Sequence, residues 1–274
     1  MIAHVQKVLS IIMVLAVFVS CTSFQRQREP AEVPEIRPGI LEGYLQSEEL
    51  PNSLMLLPPP PAEDSACLAI DREDSRKSFT LRGTPRWDLA ARDADMMFPD
   101  AAGTFSCALN APITEQDTPH LYMLLRRTLA DAAFSTFAAK NEYQRTRPFM
   151  VNGEPICTPN EEEHLKKDGS YPSGHTAFGW AWALILTEIA PERTDVILAR
   201  GRAFGESRNI SNVHWHSDVV EGRLVGSAAV ARLHADPAFH AELEAAKAEL
   251  AVVRTKGLKP TRDCQIEADA LHQY

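Results

Sequence analysis

The sequence predicts an all-α fold built as a single helical domain. Three segments place a helix-capping residue directly before a proline: Thr84-Pro85, Thr118-Pro119 and Asp236-Pro237. Proline is favoured at the first position of a helix because its missing N–H has no intrahelical partner there. Runs of alternating β-branched residues, which would indicate strands, are scarce, and no internal repeat occurs.

These signals and the hydrophobic periodicity predict the helices in order. The helix that starts at Pro119 carries leucines at helical spacing and is expected to continue to about Gln144. The apolar segment 177–190, which Pro191 ends, predicts a helix buried in the core. Further helices are expected from Pro85, over 192–206, over 216–234, and from Pro237 to near Val253.

The first 20 residues predict a secretory signal peptide. Lys7 precedes the apolar run 8–19, which is too short for a membrane span. Cys21 follows a small residue, as in bacterial lipoprotein signals, where that cysteine is lipidated after cleavage, although Phe18 stands where such signals usually have leucine. The sequence therefore predicts a periplasmic protein, either anchored to the inner or outer membrane through Cys21 or released in soluble form.

The mature chain divides into two parts. Residues 21–50 are polar and contain proline and glutamate, which predicts a flexible leader before a domain over 51–274. The four prolines of 58–61 predict extended polyproline, and the apolar LMLL stretch before them is expected to pack against the domain.

Four further cysteines would lie in an oxidising compartment, where disulfides are expected. They allow three pairings, and the sequence does not choose among them. No CxxC pair is present, which removes the zinc-ribbon signal. The four residues are Cys67, Cys107, Cys157 and Cys264.

The net charge of −9 and the lack of a basic block argue against a nucleic-acid partner. An acidic chain still binds anions where its cations converge in one pocket. The negative net charge therefore does not exclude an anionic substrate.

His214, His216 and Asp218 alternate as H-x-H-x-D, and this pattern has two interpretations. All three side chains are metal ligands on an extended segment, or only His214 and Asp218 act, four residues apart on one helical face. The remaining polar clusters decide between them.

Three polar clusters fall at helix ends or connections. Each cluster alone can be explained without a function, as a solvated helix face, a helix cap or a structural histidine. Together they read K-x6-RP, PSGH and SR-x5-H-x3-D. The residues concerned are Lys140, Arg147, Ser173, Gly174, His175, Arg208, His214 and Asp218.

This spaced pattern resembles the signature shared by type 2 phosphatidic acid phosphatases, bacterial acid phosphatases and vanadium haloperoxidases. The flanking stretches LPNSLMLLPPPP, GSYPSGHTAFGWAWALIL and HWHSDVVEGRLVGSAAV are similar to class A non-specific acid phosphatases. The resemblance covers about residues 40–250 and implies the all-α fold of this superfamily. NISN, over 209–212, departs from the family's more usual cysteine- and glycine-containing stretch, which leaves the loop details open.

Five of these residues would bind the phosphoryl group. Phosphoryl transfer requires positioned donors that neutralise charge on the equatorial oxygens. The resemblance assigns this task to the cations Lys140, Arg147 and Arg208. The Ser173 hydroxyl and the Gly174 backbone N–H, at a helix start, add hydrogen-bond donors.

The other three residues would carry the reaction. The resemblance implies that His214 is the nucleophile and forms a phosphohistidine. Asp218 would accept the proton of its other ring nitrogen and stabilise positive charge. His175 would protonate the departing alcohol and then activate water.

The metal interpretation of H-x-H-x-D loses support in this context. A zinc site of that kind normally continues with another histidine, whereas Val219 follows Asp218, and the segment continues into a helix. We expect His216 to face away from the phosphate or to line the pocket rim. No metal and no cofactor is expected.

The leading hypothesis is an acid phosphatase that acts on small phosphomonoesters, releases inorganic phosphate and also transfers phosphate to alcohols. The alternatives are a vanadate-dependent haloperoxidase, because the same residues can hold vanadate, and a non-catalytic anion-binding lipoprotein. The resemblance also implies a homo-oligomer.

Overall fold

The computed structural model describes residues 29–273. The predicted signal peptide and Cys21 lie outside this range. A short antiparallel hairpin of β1 (Glu35–Arg37) and β2 (Ile40–Leu41) precedes the helices. The helices are α1 (Ser53–Leu56), α2 (Ala66–Ser78), α3 (Pro85–Arg92), α4 (Ser106–Leu109), α5 (Pro119–Phe134), α6 (Phe137–Tyr143), α7 (Pro148–Asn152), α8 (Glu162–Leu165), α9 (Gly174–Ile189), α10 (Thr194–Ile210), α11 (His216–Leu233), α12 (Pro237–Thr255) and α13 (Cys264–Leu271).

Helix α9 forms the centre of the core and confirms the prediction of a buried apolar helix. It packs against α5, α10 and α11, and α12 covers α5 from the other side. Trp182, Ile185 and Leu186 on α9 are fully buried. The all-α prediction is confirmed, and the remaining helices surround this core.

Close packing brings the middle of α11 onto the start of α9. A Cβ atom at Gly222 would lie 2.6 Å from the carbonyl oxygen of Ser173, and one at Gly226 would lie 2.3 Å from that of Ala177. Only glycine permits so short a distance. The second and third sequence motifs therefore lie side by side.

The helix expected from Pro119 to about Gln144 is two helices, so that expectation is wrong in its second half. The break lies at Ser135 and Thr136, whose hydroxyls donate to the carbonyl oxygens of Asp131 (2.7 Å) and Ala133 (2.6 Å). Such back-bonding competes with the backbone ladder and ends or bends helices. Helix α6 then starts at Phe137 and carries Lys140.

The predicted flexible leader over 21–50 extends too far, because its last residues are part of the domain. Ile40, Leu41, Tyr44 and Leu45 are buried. The N–H groups of Tyr44 and Leu45 each donate to the carboxylate of Asp131 on α5, at 3.0 Å. These apolar side chains are scattered through a stretch that is otherwise polar, which is too weak a pattern to read from sequence.

The four prolines of 58–61 are non-helical, as expected, whereas the apolar stretch before them packs only in part. Residues 58–61 are non-helical, and the Pro58 carbonyl accepts a hydrogen bond from the Tyr171 hydroxyl at 2.8 Å. Leu57 is buried, but Met55 is 86% exposed.

The structure contains the disulfide Cys107–Cys264, which joins α4 to α13. This disulfide belongs to one of the three possible pairings. Cys67 and Cys157 are free thiols. Across residues 29–273, no helix combines the length and hydrophobicity needed to cross a membrane.

Candidate active site

The three sequence motifs converge on one buried cluster of polar side chains, the candidate substrate pocket. Lys140 lies on α6, and Arg147 is the residue before α7. Ser173 caps α9, Arg208 lies in the last turn of α10, and His214 lies in the connection to α11. All five side chains are buried.

Arg147 fixes the position and the tautomer of His214. Its Nη1 donates to the Val213 carbonyl at 3.0 Å and lies 3.2 Å from Nε2 of His214. Because a guanidinium can only donate, Nε2 must accept and carries no proton. The neutral ring therefore holds its proton on Nδ1 and directs the Nε2 lone pair toward the cations.

Nδ1 of His214 lies 3.4 Å from Oδ2 of Asp218, which is within ion-pair range but does not form a hydrogen bond in this geometry. The same Oδ2 accepts the Trp215 N–H at 2.8 Å, which caps the start of α11. Burial raises the pKa of Asp218, and the Arg145 guanidinium opposes that rise.

Burial lowers the pKa of His214 well below its ordinary value, and the charges of Arg147, Lys140 and Arg208 lower it further. The lowered pKa therefore favours the neutral form of the imidazole. A neutral ring has the lone pair that a nucleophile requires.

Lys140 and Arg147 place two cations in the pocket, and the carboxylate of Asp168, which was not predicted, lies next to them. Lys140 Nζ donates to the Gly169 carbonyl at 2.7 Å. Burial lowers the pKa of Lys140 to about 8 and that of Arg147 to about 10. Oδ2 of Asp168 lies 3.4 Å from Lys140 Nζ and 3.2 Å from Arg147 Nη2, and its side chain is 41% exposed.

Arg208 has buried donors that the protein does not satisfy. Among residues 29–273, its Nε and Nη1 have no hydrogen-bond partner. Burial lowers the pKa of its guanidinium. A buried, unpaired cation is unfavourable unless an anion compensates it. These donors therefore favour an anionic ligand.

Ser173 and Gly174 present donors at the start of α9. The Ser173 oxygen accepts hydrogen bonds from the Thr176 N–H at 3.2 Å and the Thr176 hydroxyl at 2.9 Å. Its own hydroxyl hydrogen can still be donated. The first N–H groups of α9 and the helix dipole add a positive potential at this point.

The ring of His175 is held by a backbone carbonyl that sequence reasoning missed. Nε2 donates to the Ala94 carbonyl at 2.9 Å, which leaves Nδ1 for chemistry. The adjacent Asp93 is fully buried and accepts from Arg200 Nη2 at 2.5 Å and from the Ser207 hydroxyl at 2.7 Å. Burial, followed by the Arg208 charge, lowers the pKa of His175 well below its ordinary value.

His216 is the first residue of α11, and it interacts electrostatically with Asp74 on α2. Burial raises the pKa of the Asp74 carboxyl, and His216 opposes the rise. Residues 29–273 contain no group of three or more His, Cys, Asp or Glu side chains placed to hold a metal ion.

The atypical loop between Arg208 and His214 is held by its asparagines. Asn209 Nδ2 donates to the His214 carbonyl at 3.0 Å. Asn212 adopts a left-handed backbone (φ 60°), a conformation that asparagine tolerates, and its amide donates to the Glu154 carbonyl at 2.9 Å. The departure at 209–212 therefore still positions His214.

Four residues at or next to the pocket were not predicted. Arg145 lies between the motif residues Lys140 and Arg147, so its position in the sequence could have suggested a place near the site. Asp71, Ala94 and Asp168 carry no sequence pattern that sets them apart from ordinary helix or loop residues.

An all-helical domain with buried cations around a histidine–carboxylate pair matches the predicted phosphatase superfamily. The family model described as the PAP2 superfamily matches residues 120–239. The chain belongs to this superfamily, among its class A non-specific acid phosphatases, as its curated relatives indicate.

Three relatives illustrate the similarity. A non-specific acid phosphatase of Providencia stuartii is 45% identical over 212 residues, which are 77% of this chain and 86% of that protein. A non-specific acid phosphatase of Salmonella typhimurium is 43% identical over 211 residues, 77% of this chain and 84% of that protein. An acid phosphatase of Zymomonas mobilis is 39% identical over 218 residues, 79% of this chain and 83% of that protein.

Proposed function

We propose that this chain hydrolyses small phosphate monoesters in two steps, through a phosphohistidine on Nε2 of His214. The carrying observation is the orientation of that ring. Nε2 accepts from Arg147 among the buried cations, whereas Nδ1 faces Asp218. The names of the relatives support the substrate class.

In the first step the Nε2 lone pair attacks phosphorus, and the bond from phosphorus to the ester oxygen breaks. Lys140, Arg147 and Arg208 neutralise the equatorial oxygens, with the Ser173 hydroxyl and the Gly174 N–H as further donors. The ring becomes cationic as it gains the phosphoryl group. Asp218 stabilises that charge through Nδ1–H.

His175 supplies the proton that the leaving oxygen needs. Its Nε2 is bonded to the Ala94 carbonyl, so Nδ1 is the donor. The pKa of His175 is low in the free pocket because of burial and Arg208. A bound phosphate brings negative charge that offsets Arg208, which raises this pKa and favours the protonated acid.

In the second step water attacks the phosphohistidine. Neutral His175 takes a proton from the water, the N–P bond breaks with its electron pair returning to Nε2, and inorganic phosphate leaves. An alcohol in place of water yields a new phosphate ester by the same step, which is the proposed phosphotransferase activity.

The proposed setting is the periplasm, with small phosphomonoesters as substrates and inorganic phosphate as product. Membrane attachment through Cys21 and assembly into a homo-oligomer remain proposals that rest on the sequence and on the family resemblance.

Comparison of two histidine variants tests the assignment. His214→Ala should abolish turnover of a chromogenic phosphomonoester, while His216→Ala should keep most of the rate because His216 interacts electrostatically with Asp74 on α2 and has no role in the proposed reaction. We expect activity to persist with a chelator. Loss on chelation with recovery on zinc addition, or equal loss in the two variants, would overturn the proposal.

A further inference from the structure

A buried arginine at an unassigned position within the first sequence motif shares its guanidinium between two carboxylates. Nη1 of Arg145 donates to Oδ1 of Asp218 at 2.6 Å and to the Ser217 hydroxyl at 2.7 Å. Its Nη2 donates to Oδ2 of Asp71 at 2.7 Å. The Arg145 side chain is 9% exposed, and both carboxylates are buried.

Asp71 anchors this arrangement from α2, the helix that packs against α11. It is buried and accepts hydrogen bonds from the Ser217 N–H at 2.7 Å and the Ser217 hydroxyl at 2.7 Å. The plane of Trp215 supports the guanidinium, with 5.5 Å from Cζ to the ring centroid. Arg145 is therefore held at a fixed place behind Asp218, on the side away from His214.

We propose that Arg145 is a positioning residue that keeps Asp218 ionised and oriented toward His214 Nδ1, with Asp71 as the competing carboxylate that limits this effect. The inference rests on the proposed role of Asp218 in the phosphohistidine step. Arg145 acts through Asp218 and not on the substrate, because its two terminal nitrogens bind side chains behind the histidine.

The charges around Asp218 show why Arg145 decides its protonation state. His214 lies 3.4 Å from it, and Lys140, Arg147 and the Tyr171 hydroxyl interact with it electrostatically. Arg145 alone among these is in direct contact at 2.6 Å, with Oδ1. Burial raises the pKa of Asp218, and Arg145 is the leading group that opposes the rise.

Loss of Arg145 would leave Asp71 and Asp218 as two buried carboxylates with no guanidinium between them. Asp218 would then take up a proton at a higher pH. A protonated Asp218 neither fixes the Nδ1–H tautomer nor stabilises the cationic phosphohistidine. Phosphorylation would fail first at the acidic end of the pH range.

Two variants with opposite effects test the inference. Arg145→Gln should move the acidic limb of the kcat/KM profile upward by about 1–3 pH units, the usual effect of a neighbouring opposite charge. Arg145→Lys should recover part of the shift. Asp71→Asn, which leaves Arg145 to Asp218 alone, should move the same limb downward. Inhibition by inorganic phosphate should change less than threefold in Arg145→Gln.

The matched control is Arg232→Gln, which removes another arginine–carboxylate pair, with Glu49, from an exposed part of α11. It should leave the profile unchanged. An equal loss of kcat/KM at every pH in Arg145→Gln, or an unshifted limb in Asp71→Asn, would overturn the inference. Asp71→Asn keeps the shape of the side chain, so it decides the question even if Arg145→Gln does not fold.

The outcome also separates this inference from the proposed function. If wild-type protein forms a phosphohistidine while both variants keep the wild-type limb, only the role of Arg145 is wrong. If wild-type protein forms no phosphohistidine, the proposed function fails first.

Discussion

At the scale of single residues, the two histidines of the pocket differ in what binds each ring. Arg147 donates to Nε2 of His214, which makes that atom an unprotonated nucleophile. Nε2 of His175 instead donates to the Ala94 carbonyl, which leaves Nδ1 to exchange a proton with the substrate. The two histidines therefore have different proposed roles, because a different group binds Nε2 of each ring.

The role of His175 predicts a dependence on the leaving group. His175→Ala should slow phosphoenzyme formation from an alkyl phosphate about 10²-fold more than from p-nitrophenyl phosphate, because nitrophenolate leaves without a proton. Rapid mixing isolates this step from hydrolysis of the phosphoenzyme. Equal losses on both esters would leave His175 as a phosphate contact only.

The lowered pKa of His175 predicts that anion binding takes up a proton. Burial and Arg208 keep the free ring neutral, and a bound anion offsets Arg208 and raises the pKa. Between these two pKa values affinity should rise as the pH falls, because binding and protonation are linked. Calorimetry with sulfate, which does not titrate here, in two buffers of different ionisation enthalpy counts the protons. Uptake that is unchanged in His175→Ala would contradict this expectation.

The motif residues could be identified from sequence because their chemical types and spacing carry the information. Ala94 could not, because it contributes only a carbonyl oxygen, which every residue has. Asp71 could not either, since its partner Arg145 is far away in the chain and nothing local marks the pair.

At the scale of helices, one carboxylate contributes to the attachment of residues 40–45 to α5. Asp131 accepts the N–H groups of Tyr44 and Leu45, and a Cβ at Gly43 would lie 2.0 Å from its Oδ1. Burial raises the pKa of Asp131 to about 6. This polar contact attaches residues 40–45 to the domain.

We expect Asp131→Ala to lower the free energy of unfolding by about 1–3 kcal/mol for each N–H left unsatisfied. Gly43→Ala should also destabilise, since its methyl group overlaps the carboxylate. Chemical denaturation measures both effects, and limited proteolysis near residue 40 reports detachment of the segment. Wild-type stability in both variants would show that the contact is dispensable.

The helix starts were predictable because proline and capping residues act locally. The break at Ser135 and Thr136 was not, since hydroxyl back-bonding is compatible with a continuous helix until tertiary packing favours a turn. The helical periodicity of the sequence continues through Ser135 and Thr136 and therefore does not indicate the break.

At the scale of the whole molecule, the C-terminal helix is connected to the pocket. The disulfide Cys107–Cys264 fixes α13, and Glu267 on that helix lies 3.4 Å from Arg200. Arg200 in turn holds Asp93, the residue before the carbonyl that binds His175. Which cysteines pair depends on this tertiary arrangement, so three pairings of the four cysteines were possible from the sequence.

The proposed membrane anchor depends on Cys21. Cys21→Ser should release the protein from the membrane fraction, because the thiol is the lipidation site in signals of this kind. Cell fractionation and mass spectrometry of the mature N-terminus measure the result. An unmodified Cys21, or cleavage at another position, would contradict the anchor and leave a soluble exported protein.

The most direct test of the proposed chemistry is to trap the phosphoenzyme and locate the phosphoryl group. Wild-type protein mixed rapidly with labelled phosphomonoester and quenched in base should carry the label on Nε2 of His214, as a phosphohistidine that is stable to base and labile to acid. His175→Ala should still accept label from p-nitrophenyl phosphate, whereas His214→Ala should accept none. Label on another residue, or turnover by His214→Ala, would contradict a reaction through His214.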